Sequence, residues 1–260
     1  MSSKPRVPAS RAAATTDRDE AAFLAAYDAA EFPHPSVTVD VAPMTTADGA
    51  LHVILVRREA HPAKGKWSLA GGFVGMKESL DAAAERVLAA KAGLSGIFLE
   101  QLYTFGDVDR DPRTRVITVA YYALVDTSRL RSAKPERGEA TLARVDVAWS
   151  GEKGGPARTF DEEGREMPLA FDHADVLGMV VKRLRGKLPY LPIGFQLLPR
   201  KFTLRQLQEV HEAVLGRKLN KDSFRRTVLA RGLVAATGES EKEVPYRPAE
   251  LYRYVEPKES

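Results

Sequence analysis

Apolar and polar positions change period several times along the chain, and each change marks an element. Phe23, Leu24 and Tyr27 recur at helical spacing behind acidic residues, which predicts a short amphipathic helix over 17–31. Val37, Val39 and Val41 then alternate with Thr38 and Asp40, and His52 to Val56 is β-rich beyond Asp48-Gly49, the pattern of a hairpin. Strand chemistry returns at Gln101–Phe105 and Val116–Val125, with the charged loop Asp109–Arg115 between them. The Gly- and Glu-rich stretch Ser150–Arg165 predicts a loop. Asp172–Gly186 predicts a helix with Val176, Val180 and Leu184 on one side, ended by Pro189 and Pro192.

Beyond those prolines the pattern repeats the helical period twice. Thr203 is suited to an N-cap, and Leu204, Leu207, Val210, His211, Val214 and Leu215 trace an apolar stripe that Gly216 closes. Asn220 or Lys221 opens a second helix to Ala230, with Phe224, Val228 and Leu229 facing inward. Short strands at Leu233–Ala236 and Leu251–Val255 flank a polar turn over 237–243, which completes a winged helix-turn-helix. Residues 1–16 lack apolar periodicity and predict a disordered tail. The expected organisation is that tail, a mixed α/β domain over 17–188, and a winged helix over 189–260.

Composition narrows the chemistry. The chain is 44% hydrophobic and 28% charged, in the ordinary globular range, and has no cysteine. Disulfides, thiolate nucleophiles and cysteine-held metal are therefore excluded, in keeping with a reducing compartment. The longest apolar run, Val116–Val125, is about half of the roughly 20 residues a membrane helix needs, so no span is expected. Charges from Arg11 to Glu20 interrupt any signal-peptide core, so a cytoplasmic protein is the expectation. Residues 182–231 hold 13 Lys or Arg against three acids, a local net of +10, while the whole chain carries only +4. Such asymmetry suits one part of a chain that meets a polyanion, and it equally suits a solvated basic face.

The segment from Gly72 to Leu94 carries the most specific motif. Gly72, Glu78, Arg86, Leu88, Gly93 and Leu94 stand in register with the Nudix box, and Trp67-Ser68-Leu69 leading into Gly71-Gly72-Phe73-Val74 is similar to the approach to that box. The box resembles one that has lost its metal. Where the family has three glutamates on one helix face that hold Mg²⁺, this chain has Val87, Ala90 and Lys91. Two oxygen ligands have become hydrocarbon and the third a cation that repels a divalent ion. Hence no catalytic residue, no metal ligand and no cofactor is expected here. Gly71, Gly72 and Phe73 still permit close approach of a ligand, and the N-terminus of the following helix still favours anions. Arg57 and Arg58 are candidates for phosphate contacts, Trp67 or Phe105 for stacking on a base, and Glu78 as the remaining box carboxylate. Core packing for Trp67 and solvated charges for the arginines are the plain alternatives.

Further motifs extend the resemblance over nearly the whole chain. They include Leu99 to Asp107, Asp109-Arg110-Asp111-Pro112-Arg113, Phe171-Asp172-His173-Ala174-Asp175, Pro192-Ile193-Gly194-Phe195, Phe224-Arg225-Arg226 and Arg247 to Tyr254. In combination the chain resembles the Nudix-related transcriptional regulators of the NrtR family. That resemblance implies an α+β protein: a Nudix-like α/β/α sandwich with a mixed sheet, then a winged helix-turn-helix. It also implies a homodimer that binds palindromic double-stranded operator DNA, often represses NAD-metabolism genes, and responds to ADP-ribose or a related nucleotide. Lys221, Ser223, Arg225 and Arg226 on the second helix offer the cationic and polar groups a major groove requires, and Arg247 suits the wing. Lys201, Thr203, Arg205 and Asn220 are further DNA-facing candidates. Two rivals remain. One is a hydrolase that recruits Glu85, Asp107 or Glu163 and uses its basic segment for dimerisation; the other, an RNA-binding adaptor, lacks an aromatic single-strand platform.

Overall fold

Asp48 and Gly49 both adopt positive φ, 48° and 74°, and so form the tight turn that joins β1 (Ser36–Ala47) to β2 (Ala50–Arg57). In the computed structural model, residues 9–131, 138–242, 245 and 247–256 are described. They fall into two compact units that divide after Pro35.

The first unit contains α1 (Ala9–Ala26) and a 3₁₀ turn, Ala29–Glu31. The helix begins eight residues or so before the predicted start, so the tail reading fails from Ala9 to Thr16; residues 1–8 lie outside the described residues. The alanine-rich sequence there has high helix propensity, which a search for apolar periodicity does not register. Phe23 and Tyr27 rings lie 5.9 Å apart, and Tyr27 stacks on Phe32 at 6.3 Å.

The second unit is built on a mixed sheet. Its strands are β1, β2, β3 (Trp67–Ser68), β4 (Ala70–Phe73), β5 (Phe98–Phe105), β6 (Val116–Leu124), β7 (Ala140–Val147) and β8 (Ala157–Phe160). The main order is β5-β6-β1-β2-β7-β8, with β3 on β2 and β4 on β1. Strands β1 and β6 run parallel, and the other strand pairs among the described residues are antiparallel. Alternation along β1 sends Val39 and Val41 to one face and Ala42 and Met44 to the other. The first face packs on α2 (Leu80–Ala92) through Ala83, Ala84, Val87 and Leu88. The second packs on α4 (His173–Lys187) through Val176, Val180 and Leu184, which makes the expected α/β/α sandwich. Ser79 caps α2 at its start and Gly93, at φ 67°, closes it. A short helix, α3 (Thr127–Arg131), follows β6. The loop expected over 150–165 is in part β8, whose pairing with β7 was not predicted either.

After a 3₁₀ turn at Pro192–Leu197 come α5 (Leu204–Leu215), α6 (Lys221–Ala230), β9 (Val234–Ser240) and β10 (Glu250–Tyr254). This is the winged helix-turn-helix, with a small core of Phe202, Leu204, Leu207, Val228 and Tyr252. Leu229 corrects the predicted inward face, being 47% exposed. Ile193, Leu197, Val210 and Val214 belong instead to the core beneath α4, so apolar packing is continuous past residue 188. Among the described residues no helix is long and apolar enough to cross a membrane.

Candidate functional site

Close approach of β4 to its neighbours explains the two glycines that begin the box. A methyl group on Gly71 would sit 2.1 Å from Asp40 Oδ1, and one on Gly72 2.8 Å from Val87 Cγ2. Both glycines also line a cavity of about 480 Å³, within the range of about 300 to 1,000 Å³ usual for small-molecule sites. Its walls are Thr38 and Asp40 of β1, Arg57 and Arg58 at the end of β2, Phe73, and Ala90 and Lys91 of α2. The β5–β6 loop adds Arg110, Asp111 and Arg113, and the entry to α4 adds Phe171 and His173.

A buried polar knot holds these walls together. Arg110 donates two hydrogen bonds to Asp172, at 2.9 and 2.7 Å, and one to Asp40 at 3.4 Å. Asp172 stands at the N-cap of α4 yet makes no capping bond, because Arg110 takes its carboxylate. His173 Nδ1 accepts the Leu69 N–H at 3.0 Å, while Nε2 faces Asp40 Oδ1 at 3.6 Å. Burial pushes the His173 pKa down, against the pull of Asp40 and Asp172, so the ring is held neutral with its proton on Nε2.

The remaining cations differ in how they are compensated. Arg113 is paired bidentately with Asp111, and Arg57 pairs with Glu139 at 3.1 Å. Arg58 and Lys91 have no carboxylate within ion-pair distance among the described residues; Arg58 Nε donates to the Pro62 carbonyl and Lys91 Nζ to the Gly71 carbonyl. The aromatic faces in the cavity are Phe73, beneath Arg113, and Phe171, beneath Arg58.

The expected ligand set is therefore only partly gathered. Arg57, Arg58, Gly71, Gly72 and Phe73 line the cavity, whereas Trp67, Glu78 and Phe105 do not. Trp67 and Phe105 pack against the α4-side core, and Arg57 lies over the Trp67 ring. Glu78 receives Arg86 and the Gly75 N–H, which hold its pKa down at about 2, so this carboxylate braces the glycine loop. Asp40, Lys91, Arg110, Arg113, Phe171 and His173 are among the cavity residues that sequence reasoning did not assign to a ligand. Their charged motif and the Phe-Asp-His run were visible, but not their convergence.

The residues present do not suit Mg²⁺. Val87 on α2 is buried in the core against the sheet, Ala90 has no side-chain donor atom and Lys91 is cationic. Glu85 is exposed on α2, Asp107 bonds within its own loop, and Glu163 pairs with Arg165. Among the described residues no group of three His, Asp or Glu is positioned to hold a metal.

On the winged helix, Asn220 caps α6 by accepting the Ser223 N–H. Lys221, Ser223, Arg225 and Arg226 are all exposed on that helix, and Arg247 is exposed beside β10. Lys201 pairs with Glu239 and Arg205 with Glu209, both at the surface, while Thr203 is buried in a capping box with Gln206. Glu212 ties the turn between α5 and α6: Lys218, the Leu219 N–H and Gln208 all donate to it and lower its pKa to about 2.

Two family models match the chain, NUDIX domain over residues 34–160 and NrtR DNA-binding winged helix domain over 194–254. The ADPR responsive transcriptional repressor NtrR of Acinetobacter baylyi is 35% identical over 238 residues, 91% of this chain and 88% of that protein. Shewanella oneidensis NrtR complexed with a 27mer DNA is similar at a TM-score of 0.69 and 34% identity, covering 84% of this chain and 93% of that one. The NUDIX domain of the same Shewanella protein complexed with ADP ribose is similar at 0.51 and 33%, covering 64% and 98%.

Proposed function

We propose a mechanism for a chain that belongs to the NrtR family, in which a Nudix domain is joined to a DNA-binding winged helix. The protein is a transcriptional regulator. In our reading it is a repressor that binds ADP-ribose in the cationic cavity, does not hydrolyse it, and changes its hold on operator DNA in response. One observation supports this most strongly. Helix α4 begins in the cavity wall with His173 and, near its other end, bonds to α5 of the winged helix through Arg185. A ligand that favours one setting of α4 thereby favours one placement of the recognition helix, whereas equal affinity for both settings would change nothing.

The DNA contacts in this account come from α6. Lys221, Arg225 and Arg226, all exposed on the helix, meet phosphates and base edges, and Arg247 follows the backbone from the wing. Residues such as Lys201 and Arg205, already paired with neighbouring acids, contribute less. The chain acts as a homodimer in the cytoplasm, on palindromic sites whose half-sites lie about one helical turn apart. No cofactor takes part. Footprinting on DNA from upstream of its own gene and its neighbours tests the reading: a protected palindrome supports it, and uniform protection contradicts it.

A further inference from the structure

We infer that Lys91, with Arg58, forms a metal-free subsite for the diphosphate group of the ligand, in the place where a Nudix hydrolase would hold its metal. This rests on the reading of the cavity as a nucleotide site and says how the anion is held there.

Three observations carry it. First, the carboxylates that a bridging metal would need are absent, since Val87 is buried in the apolar core and Lys91 stands at the third box position. Second, Lys91 and Arg58 are the cavity cations with no carboxylate at ion-pair distance among the described residues, while Arg57, Arg110 and Arg113 each have one. Desolvation lowers the pKa of both, and Lys91 is lowered further by Arg58 and Arg86, against the pull of Asp40. A diphosphate between them would relieve that repulsion and supply the missing counter-charge. Third, Thr38 lines the same cavity with a buried hydroxyl that has no hydrogen-bond partner among the described residues. It is a ready donor to a phosphate oxygen.

The geometry also allows Lys91 to act. Its ammonium now rests on the Gly71 carbonyl, a single neutral acceptor, and keeps two further N–H donors for a ligand. A tethered ammonium performs the charge neutralisation of a metal but polarises no water, so it retains the diphosphate without supplying a nucleophile.

Calorimetry on the full-length protein tests this with two probes, ADP-ribose and inorganic pyrophosphate, each in EDTA and in Mg²⁺. The inference predicts that both bind in EDTA, with affinity not improved by Mg²⁺. Lys91→Gln then weakens both by about tenfold or more, as expected for loss of a charged hydrogen bond. Arg58→Gln has a similar effect, and cooperative thermal unfolding of each variant reports a folded protein. Pyrophosphate binding that depends on Lys91, without ADP-ribose binding, would support the subsite and overturn ADP-ribose as the effector. Binding that requires Mg²⁺, no binding of either probe in EDTA, or indifference to Lys91→Gln would overturn the subsite. The wild-type comparison of EDTA with Mg²⁺ stands even where a variant fails to fold.

Discussion

Arg185 donates its Nε hydrogen to the carbonyl of Val214, 3.0 Å away in the last turn of α5. The same guanidinium donates to the Trp149 and Gly151 carbonyls at 3.1 and 3.2 Å and lies over the Trp149 ring. One buried side chain on α4 thus satisfies three carbonyls and fastens the winged helix to the sensor. Gly216 makes room for it: a methyl group there would lie 2.9 Å from Arg185 Nη2.

Arg185→Ala leaves these carbonyls without their charged donor, and is expected to destabilise the protein by about 2 kcal/mol or more. Arg185→Lys, which restores a charge without the fork, should fall between. Urea denaturation checks both; wild-type stability in the alanine variant would show that the fastening lies elsewhere. The response of DNA affinity to ADP-ribose should shrink in the same variants.

Histidine burial sets an expectation for pH. His52, His173 and His211 all have pKa values lowered by desolvation in the folded chain. Unfolding returns them to about 6.5, so below that pH the unfolded state binds more protons and stability falls as pH falls; above it these groups are neutral in both states. For His173 the slope is at most about 1.4 kcal/mol per pH unit. Melting temperatures between pH 5 and 7.5 should show this decline, and His173→Gln should flatten it. An unchanged slope in that variant would place the protons on other groups.

The elements with strong periodicity were legible in the sequence, as were the box and the two helices of the winged domain. The hairpin followed from Asp48-Gly49. Strand β7 was not legible, because Ala140, Ala143 and Arg144 dilute its alternation, and β8 is only four residues long. The knot of Asp40, Arg110, Asp172 and His173 was hidden for a different reason. Arg110 stands 62 residues from Asp172 and 70 from Asp40, so only the fold brings them together. Trp67 and Phe105 suited base stacking by residue type, but the sheet turns them into the core.

The recognition helix can be tested by charge removal. Arg225→Ala and Arg226→Ala should weaken DNA binding and lower the slope of log affinity against log salt by about 1 for each lost phosphate contact. ADP-ribose affinity should be unchanged in both. Wild-type DNA affinity in both variants would overturn the assignment of α6 as the reading element.

Hydrolysis provides a further test of the cavity. Incubation with ADP-ribose and Mg²⁺ should release no products above a protein-free blank, because no chelating cluster exists among the described residues. A rate that requires Mg²⁺ and disappears in Glu78→Gln would support the hydrolase reading instead.

The most direct test of the central claim is fluorescence anisotropy on the footprinted operator duplex, titrated with protein at fixed salt, with and without saturating ADP-ribose. The account predicts binding at least about a thousandfold tighter than to scrambled duplex, and a change in operator affinity of about fivefold or more when ADP-ribose is present. Operator affinity that stays the same while calorimetry shows the cavity filled would contradict it, since a ligand that binds without moving the DNA equilibrium is not an effector.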